Sequence, residues 1–110
     1  MGFLDFLKSP NIDQGIKEFE RTPGAVLLDV RAPQEYEHRR IPGSVNLPLQ
    51  NIDRAGEFIP SKDTPVFVYC FSGGRSHQAV NTLKRMGYSA VTDLGGINSY
   101  SGKVALGPNM

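Results

Sequence analysis

The chain has 110 residues, of which 39% are hydrophobic and 21% charged, and its formal net charge is +1. This balance is typical of one globular domain spanning residues 1 to 110, and it excludes a disordered tail and argues against nucleic acid as a partner. A single cysteine excludes an internal disulfide and a multi-thiolate metal site, and no run approaches the ~18 apolar residues of a membrane span.

Residues 1 to 10 form an apolar N-terminal extension that contains Phe3, Leu4, Phe6 and Leu7. These side chains are expected to cover one edge of the core, with a partner surface or a short anchor as the alternative. The segment lacks the basic start and the cleavage site of a signal peptide, so a cytoplasmic location is predicted.

The first part of the chain predicts a helix, a strand and a second helix. Apolar residues between Ile12 and Phe19 recur every three or four positions, which is the spacing of one helix face. The run AVLLDV, residues 25 to 30, is typical of a parallel strand buried on both faces. A helix beginning at Pro33 is expected to continue to about Arg39, because proline is tolerated in a first turn.

The rest of the chain continues this alternation. Residues 44 to 47 predict a short strand, and residues 50 to 64 predict a surface connection with a weak helical turn. PVFVYC, residues 65 to 70, is the strongest strand, a helix face begins at Ser76, and residues 88 to 94 predict another strand. We therefore expect an α/β fold with a central, mainly parallel sheet of about five strands, flanked by helices on both faces.

The only cysteine, Cys70, follows the strongest strand at its carboxyl end, where ligands bind in such sheets. Gly73 and Gly74 permit a tight turn whose amides point inward, and the helix start adds its positive end. This arrangement favours the thiolate and an anion held on sulfur. The alternative is a buried cysteine that only fills space.

Three side chains of the following segment have two interpretations each. Arg75 either holds an anionic substrate or pairs with an acid of the fold, for which Asp29 and Glu35 are the candidates. Ser76 is expected to be the helix N-cap rather than a catalytic hydroxyl. Ser72 either donates a hydrogen bond to the sulfur or faces water.

The two histidines, His38 and His77, give no positive support for a cysteine-protease pair, because no spacing ties either of them to Cys70. His77 is expected to be exposed near the helix start, and His38 lies in a charged run.

Three blocks in order, LLDVRAPQEYEHRRIPGSVNLP, VFVYCFSGGRS and LGGINSY, together resemble a rhodanese-homology domain over about residues 25 to 100. The resemblance implies sulfur transfer through a persulfide on Cys70, with no metal and no organic cofactor. It implies supporting roles for Asp29, Arg31 and Glu35. The persulfide-binding loop implied by the match consists of Phe71, Ser72, Gly73, Gly74, Arg75 and Ser76.

The chain departs from the family pattern at two places. Arg39 and Arg40 stand where many members have Gly-His, and Tyr100 stands where many have tryptophan. A solvated face is the preferred interpretation of the two arginines, with an anionic donor or a protein partner as the alternative.

The predicted function is a sulfurtransferase that moves a sulfane sulfur from a small anionic donor, such as thiosulfate, to cyanide or a thiol, including a protein thiol. Phosphatases and arsenate reductases on the same fold are one alternative, but their loops have one more residue. The four residues between Cys70 and Arg75 favour a single sulfur atom over a tetrahedral oxyanion. A sulfur-relay or protein-binding module is the other alternative.

Overall fold

A computed structural model describes residues 11 to 108, so the predicted apolar extension of residues 1 to 10 lies outside the described residues. The helices are α1 (Ile12–Glu20), α2 (Pro33–His38) and α3 (Gly74–Arg85). The strands are β1 (Val26–Asp29), β2 (Arg39–Arg40), β3 (Ser44–Asn46), β4 (Val66–Cys70), β5 (Val91–Gly96) and β6 (Ala105–Leu106). Two 3-10 segments cover Leu49–Glu57 and Ile97–Ser99. No helix within this range is long and apolar enough to cross a membrane.

The central sheet has the order β3-β1-β4-β5, and all its strand pairs are parallel. It has four strands rather than the expected five or so, while β2 and β6 form a separate antiparallel pair. Strand β4 is buried along its whole length. The predicted α/β class and parallel sheet are confirmed.

The two faces of β4 belong to two cores. Val66, Val68 and Cys70 pack on the side covered by α3 and the first 3-10 segment. Phe67 and Tyr69 pack on the side covered by α1. This alternation follows from the period of two along a strand and explains why the run contains no exposed polar residue.

Helix α1 matches its sequence pattern. The Asn11 side chain accepts a hydrogen bond from the amide of Gln14 at 2.9 Å, which caps the helix start. Ile12 and Ile16 are buried against the sheet. The ring of Phe19 contacts that of Phe67 edge-on, with centroids 5.8 Å apart.

Helix α3 begins at Gly74, two residues before the predicted start at Ser76. Gly73 precedes it with a φ of +113°, a conformation that glycine adopts at little cost. The chain therefore turns from β4 into the helix within three residues. As a result Ser76 lies inside the first turn, and its predicted role as the N-cap is wrong.

The end of α2 also differs from the expectation. The helix stops at His38, because Arg39 and Arg40 are extended and pair with β6. Arg40 is 8% exposed, and its guanidinium donates to the carbonyl oxygen of Gly107 at 2.7 Å. A solvated face is therefore wrong for Arg40, which anchors the C-terminal segment.

Candidate active site

Cys70 is the last residue of β4 and is 1% exposed. Its Sγ accepts a hydrogen bond from the amide of Gly73 at 2.9 Å. The left-handed conformation of Gly73 then leads the chain from this amide directly into α3. The turn of residues 70 to 75, called the cysteine turn below, therefore curls around the sulfur atom.

The hydroxyl of Ser76 is a second polar group beside the sulfur. Ser76 is fully buried, and its Oγ lies 3.5 Å from Cys70 Sγ. The same hydroxyl donates to the carbonyl oxygen of Gly73 at 3.1 Å. Because a hydroxyl rotates, it can accept from the thiol or donate to a sulfur anion.

The first turn of α3 adds unpaired donors. The amides of Gly74, Arg75 and Ser76 have no carbonyl to bond within the helix, and they make no hydrogen bond within residues 11 to 108. The positive end of the helix dipole lies at the same turn. The surroundings of the sulfur are thus suited to negative charge.

Strand β5 supports the turn through a close approach that the sequence analysis did not assign. A bulge in β5 moves Gly96 opposite Cys70. A Cβ atom at Gly96 would lie 2.1 Å from the carbonyl oxygen of Phe71, so only glycine fits. The amide of Asn98 donates to that same oxygen at 3.1 Å. The glycine pair at the end of a strand was the available signal.

Arg75 pairs with Glu35 and not with Asp29. Its two terminal nitrogens donate to the two Glu35 oxygens at 2.7 and 3.1 Å. Glu35 also accepts from the amide of Ala32 at 3.0 Å. The hydrogen bond from Arg75 holds the pKa of Glu35 below its usual value, and the same bond raises the pKa of Arg75. The pair ties α2 to the cysteine turn.

Asp29 and Arg31 form a buried pair at the end of β1. Asp29 Oδ2 accepts from Arg31 Nη2 at 2.7 Å, and Oδ1 accepts from Arg31 Nε at 3.0 Å. Burial opposes the charge on Arg31, but the bonds to Asp29 outweigh it and its pKa is raised. Arg31 also donates to the carbonyl oxygen of Arg39 at 2.6 Å. These bonds connect the end of β1 to the first residue of β2.

Tyr69 is a further support that sequence reasoning missed. Its hydroxyl donates to Ser44 Oγ at 3.1 Å and accepts from the amide of Ile41 at 3.1 Å. Burial raises the pKa of Tyr69 well above its usual value. An apolar strand pattern gives no signal for such a hydroxyl, because it predicts only that the ring is buried.

The remaining predicted residues lie at the surface. Phe71 is 49% exposed, and Ser72 is exposed with no hydrogen bond from its hydroxyl within the described part of the chain. His77 is exposed and lies 3.8 Å from the carboxylate of Asp93. His38 is exposed as well. Within residues 11 to 108, neither imidazole makes a hydrogen bond with Cys70.

A cysteine at the carboxyl end of a parallel strand, with an amide donating to its sulfur and unpaired amides in the following helix turn, defines the class of protein. A sequence profile of the Rhodanese-like domain matches residues 12–103. The chain therefore belongs to the rhodanese-like domain family.

Individual relatives agree with this assignment. The chain is 38% identical to "Thiosulfate sulfurtransferase PspE" of Escherichia coli over 71 residues, which is 64% of this chain and 68% of that protein. It is 40% identical to a "Sulfurtransferase" of Allochromatium vinosum over 81 residues, 73% of this chain and 75% of that protein. Other relatives are longer, and the chain spans only 20% to 42% of their length.

A solved structure, "rhodanese with anions from E. coli", has a TM-score of 0.71 and 33% identity to this chain. The structural alignment covers 76% of this chain and 99% of the solved chain. The fold and the family are thus supported by the sequence and by the arrangement of the backbone.

Proposed function

We propose that this domain is a sulfurtransferase in which Cys70 carries a sulfane sulfur as a persulfide. The observation that supports this most is the set of donors around one sulfur atom. The Gly73 amide lies 2.9 Å from Cys70 Sγ, and the Ser76 hydroxyl lies 3.5 Å away. The Gly73 amide already points at the sulfur, so it stabilises negative charge there without further reorganisation, and rotation of the Ser76 hydroxyl adds a second donor.

The reaction has two steps of the ping-pong type. The thiolate of Cys70 attacks the outer sulfur of thiosulfate, the sulfur–sulfur bond of the donor breaks, and its electron pair leaves with sulfite. The outer sulfur is then bonded to Cys70 Sγ. In the second step cyanide or a thiolate attacks that outer sulfur, and the electron pair of the bond that breaks returns to Cys70 as thiolate.

The residues around Cys70 have separate roles in this scheme. The Gly73 amide and the Ser76 hydroxyl stabilise the sulfur anion, together with the unpaired amides of the first turn of α3. Arg75 is a positioning residue, since its guanidinium is already bonded by both oxygens of Glu35. Its charge still contributes to the positive potential near the turn.

Steady-state kinetics test this proposal. Thiosulfate and cyanide are varied against each other while thiocyanate is measured, and parallel double-reciprocal lines are expected. Cys70→Ser should form no thiocyanate, whereas the control His77→Gln should retain wild-type rates, because His77 is exposed and does not contact the sulfur. Full activity of Cys70→Ser would contradict the proposal.

Phosphoryl transfer is the competing reaction on this fold. A turn with four residues between Cys70 and Arg75 encloses little space, which favours sulfur over a tetrahedral phosphate. Incubation with an aryl phosphate should therefore release no phenol. Turnover of the phosphate without thiocyanate formation would replace the present proposal.

The cytoplasmic location stays a prediction, to be checked by fractionating cells that produce the protein.

A further inference from the structure

Arg31, Arg39, Arg40 and Arg75 are four arginines of the candidate site and the segments that flank it, and three of them are engaged by other groups. Arg31 and Arg75 each form a bidentate salt bridge with a carboxylate. Arg40 donates to main-chain carbonyl oxygens. The guanidinium of Arg39, by contrast, makes no hydrogen bond and no ion pair with any residue between 11 and 108. Its charge is therefore available to a ligand.

Arg39 lines a groove that borders the cysteine turn. The lining residues are Arg31, His38, Arg39, Phe71, Ile97 and Asn98. The groove has a volume of about 370 Å³, which falls in the range of roughly 300 to 1,000 Å³ typical of small-molecule sites. Phe71 directly follows Cys70, and its ring is 49% exposed. An apolar side chain and an unpaired cation thus share one groove, which adjoins the cysteine turn at Phe71.

We propose that this groove binds the sulfur acceptor, a small organic thiol that carries a carboxylate. Arg39 pairs with the carboxylate, and the ring of Phe71 packs on the carbon atoms between carboxylate and thiol. This inference rests on the proposed function and names the substrate class of its second step. Arg39 is accordingly a specificity-determining residue.

The groove fits the acceptor better than the donor. Thiosulfate has no carbon atoms to pack on an exposed aromatic ring, and the unpaired amides of the first turn of α3 are already available for its charge. A thiol with an apolar part and an anionic end uses both features of the groove. A guanidinium is also well suited to a carboxylate, because it can donate two parallel hydrogen bonds.

The step conserves atoms and charge. The acceptor thiolate attacks the outer sulfur held on Cys70, and a sulfur–sulfur bond forms between acceptor and outer sulfur. The bond between the outer sulfur and Cys70 Sγ breaks, and its electron pair stays on Cys70 as thiolate. The product is the persulfide of the acceptor, and no oxidant or reductant is consumed.

The test separates the two half-reactions. The protein is loaded with sulfur from thiosulfate and freed of donor, and loss of the bound sulfur is followed by intact mass after adding mercaptopropionate or mercaptoethanol. The quantity compared is the second-order rate constant with mercaptopropionate divided by that with mercaptoethanol. When this ratio is compared between variants, the intrinsic reactivities of the two thiols cancel. We expect Arg39→Gln to lower the preference for mercaptopropionate about tenfold, the size of a charge-assisted hydrogen bond of about 1.4 kcal/mol.

Two further variants serve as controls. Arg39→Lys keeps the charge and should retain most of the preference. Arg85→Gln removes a charge from the exposed last turn of α3, where the side chain bonds only Thr82 among residues 11 to 108, and should leave the ratio unchanged. Added salt should weaken the preference of the wild-type protein, because it screens the pairing of Arg39 with a carboxylate. Arg39 pairs with Leu106 through its main chain, which these substitutions do not alter, so the variants are expected to fold.

Equal ratios in the wild-type protein and in Arg39→Gln would overturn the inference. The inference would also be overturned if Arg85→Gln lowered the ratio as much as Arg39→Gln does. A wild-type protein that never gains sulfur from thiosulfate would contradict the proposed function instead. Arg39→Gln should slow thiosulfate loading by a smaller factor than it lowers the preference for mercaptopropionate, because loading loses only long-range attraction to the charge. Slower loading with an unchanged ratio would assign Arg39 to the donor and overturn the inference.

Discussion

Gly96 illustrates how a single backbone position shapes the cysteine turn. It lies opposite Cys70 in the sheet, and it is in contact with the carbonyl group of Phe71. Its φ of −114° is accessible to any residue, so its identity is fixed by lack of space and not by backbone conformation. The turn is therefore held from β5 as well as from its own chain.

Gly96→Ala is predicted to displace the cysteine turn. A new Cβ would lie 2.1 Å from the Phe71 carbonyl oxygen, and this backbone atom has no flexible end to move aside. We expect a loss of about 1 to 3 kcal/mol in the free energy of unfolding, as for other overpacked sites, together with slower persulfide formation. Urea denaturation and mass measurement after thiosulfate treatment determine the two effects.

Gly56→Ala is the matched control, because a Cβ there has nothing within 4 Å. We expect it to change stability by less than about 0.5 kcal/mol and to leave persulfide formation unaffected. If Gly96→Ala behaved like Gly56→Ala, the close approach would not matter to the turn.

The buried pair between Asp29 and Arg31 leads to a second prediction at this scale. Asp29→Asn leaves the Arg31 guanidinium, which is 4% exposed, without its counter-charge. Breaking a buried pair in this way costs about 3 to 5 kcal/mol of unfolding free energy. Glu18→Gln breaks an exposed pair with Arg21 and should cost far less. Equal losses in the two variants would contradict a supporting role for Asp29.

At the scale of elements, α2 and α3 are linked by the pair between Glu35 and Arg75. The two helices follow different strands, and their tie fixes the first turn of α3 beside Cys70. Both side chains are more than one third exposed, so water screens the pair. It is therefore expected to contribute at most about 1 kcal/mol to stability.

This pair predicts a specific pH dependence. The pKa of Glu35 is lowered in the folded protein by the hydrogen bond from Arg75. The contribution of ionised Glu35 to the free energy of unfolding is hence fully present above the unfolded pKa of 4.5. It is lost as the pH falls through the lower pKa of the folded state. The stability difference between the wild-type protein and Glu35→Gln, measured with urea, should shrink as the pH is lowered from the unfolded value of 4.5 through the folded value. A difference that grows on acidification would contradict the assignment.

At the scale of the whole molecule, the α/β class and the parallel order could be predicted from alternating helix and strand patterns. The β2–β6 pair could not, because two-residue strands show no periodicity and their partners are far apart in the chain. The place of Cys70 at the carboxyl end of a central strand could also be predicted, because it directly follows the strongest strand pattern. The partner of Arg75 did not, since sequence offered Asp29 and Glu35 equally and only the packing of α2 on the turn selects Glu35.

The packing of the sheet predicts how the fold responds to alkali. Burial raises the pKa of Tyr69, so the folded state keeps the phenol neutral where the unfolded chain ionises it. Stability is therefore full below the unfolded value of 10.0 and declines as pH rises beyond it toward the folded value. The wild-type protein should lose unfolding free energy above this pH more steeply than Tyr69→Phe.

Tyr69→Phe should also be less stable near neutral pH, by about 1 to 3 kcal/mol, because the amide of Ile41 and the hydroxyl of Ser44 lose their buried partner. Urea midpoints across the pH series measure both effects. Parallel pH curves for the two proteins would show that Tyr69 does not govern the alkaline transition.

In the proposed reaction, Cys70 accepts the outer sulfur of a donor. The most direct measurement uses thiosulfate carrying a heavy isotope only in its outer sulfur, followed by intact mass of the protein before and after addition of cyanide. We predict that wild-type protein gains one labelled sulfur atom, loses it to cyanide as labelled thiocyanate, and that Cys70→Ser gains none. An equal gain by Cys70→Ser, or an unmodified wild-type protein, would contradict the account.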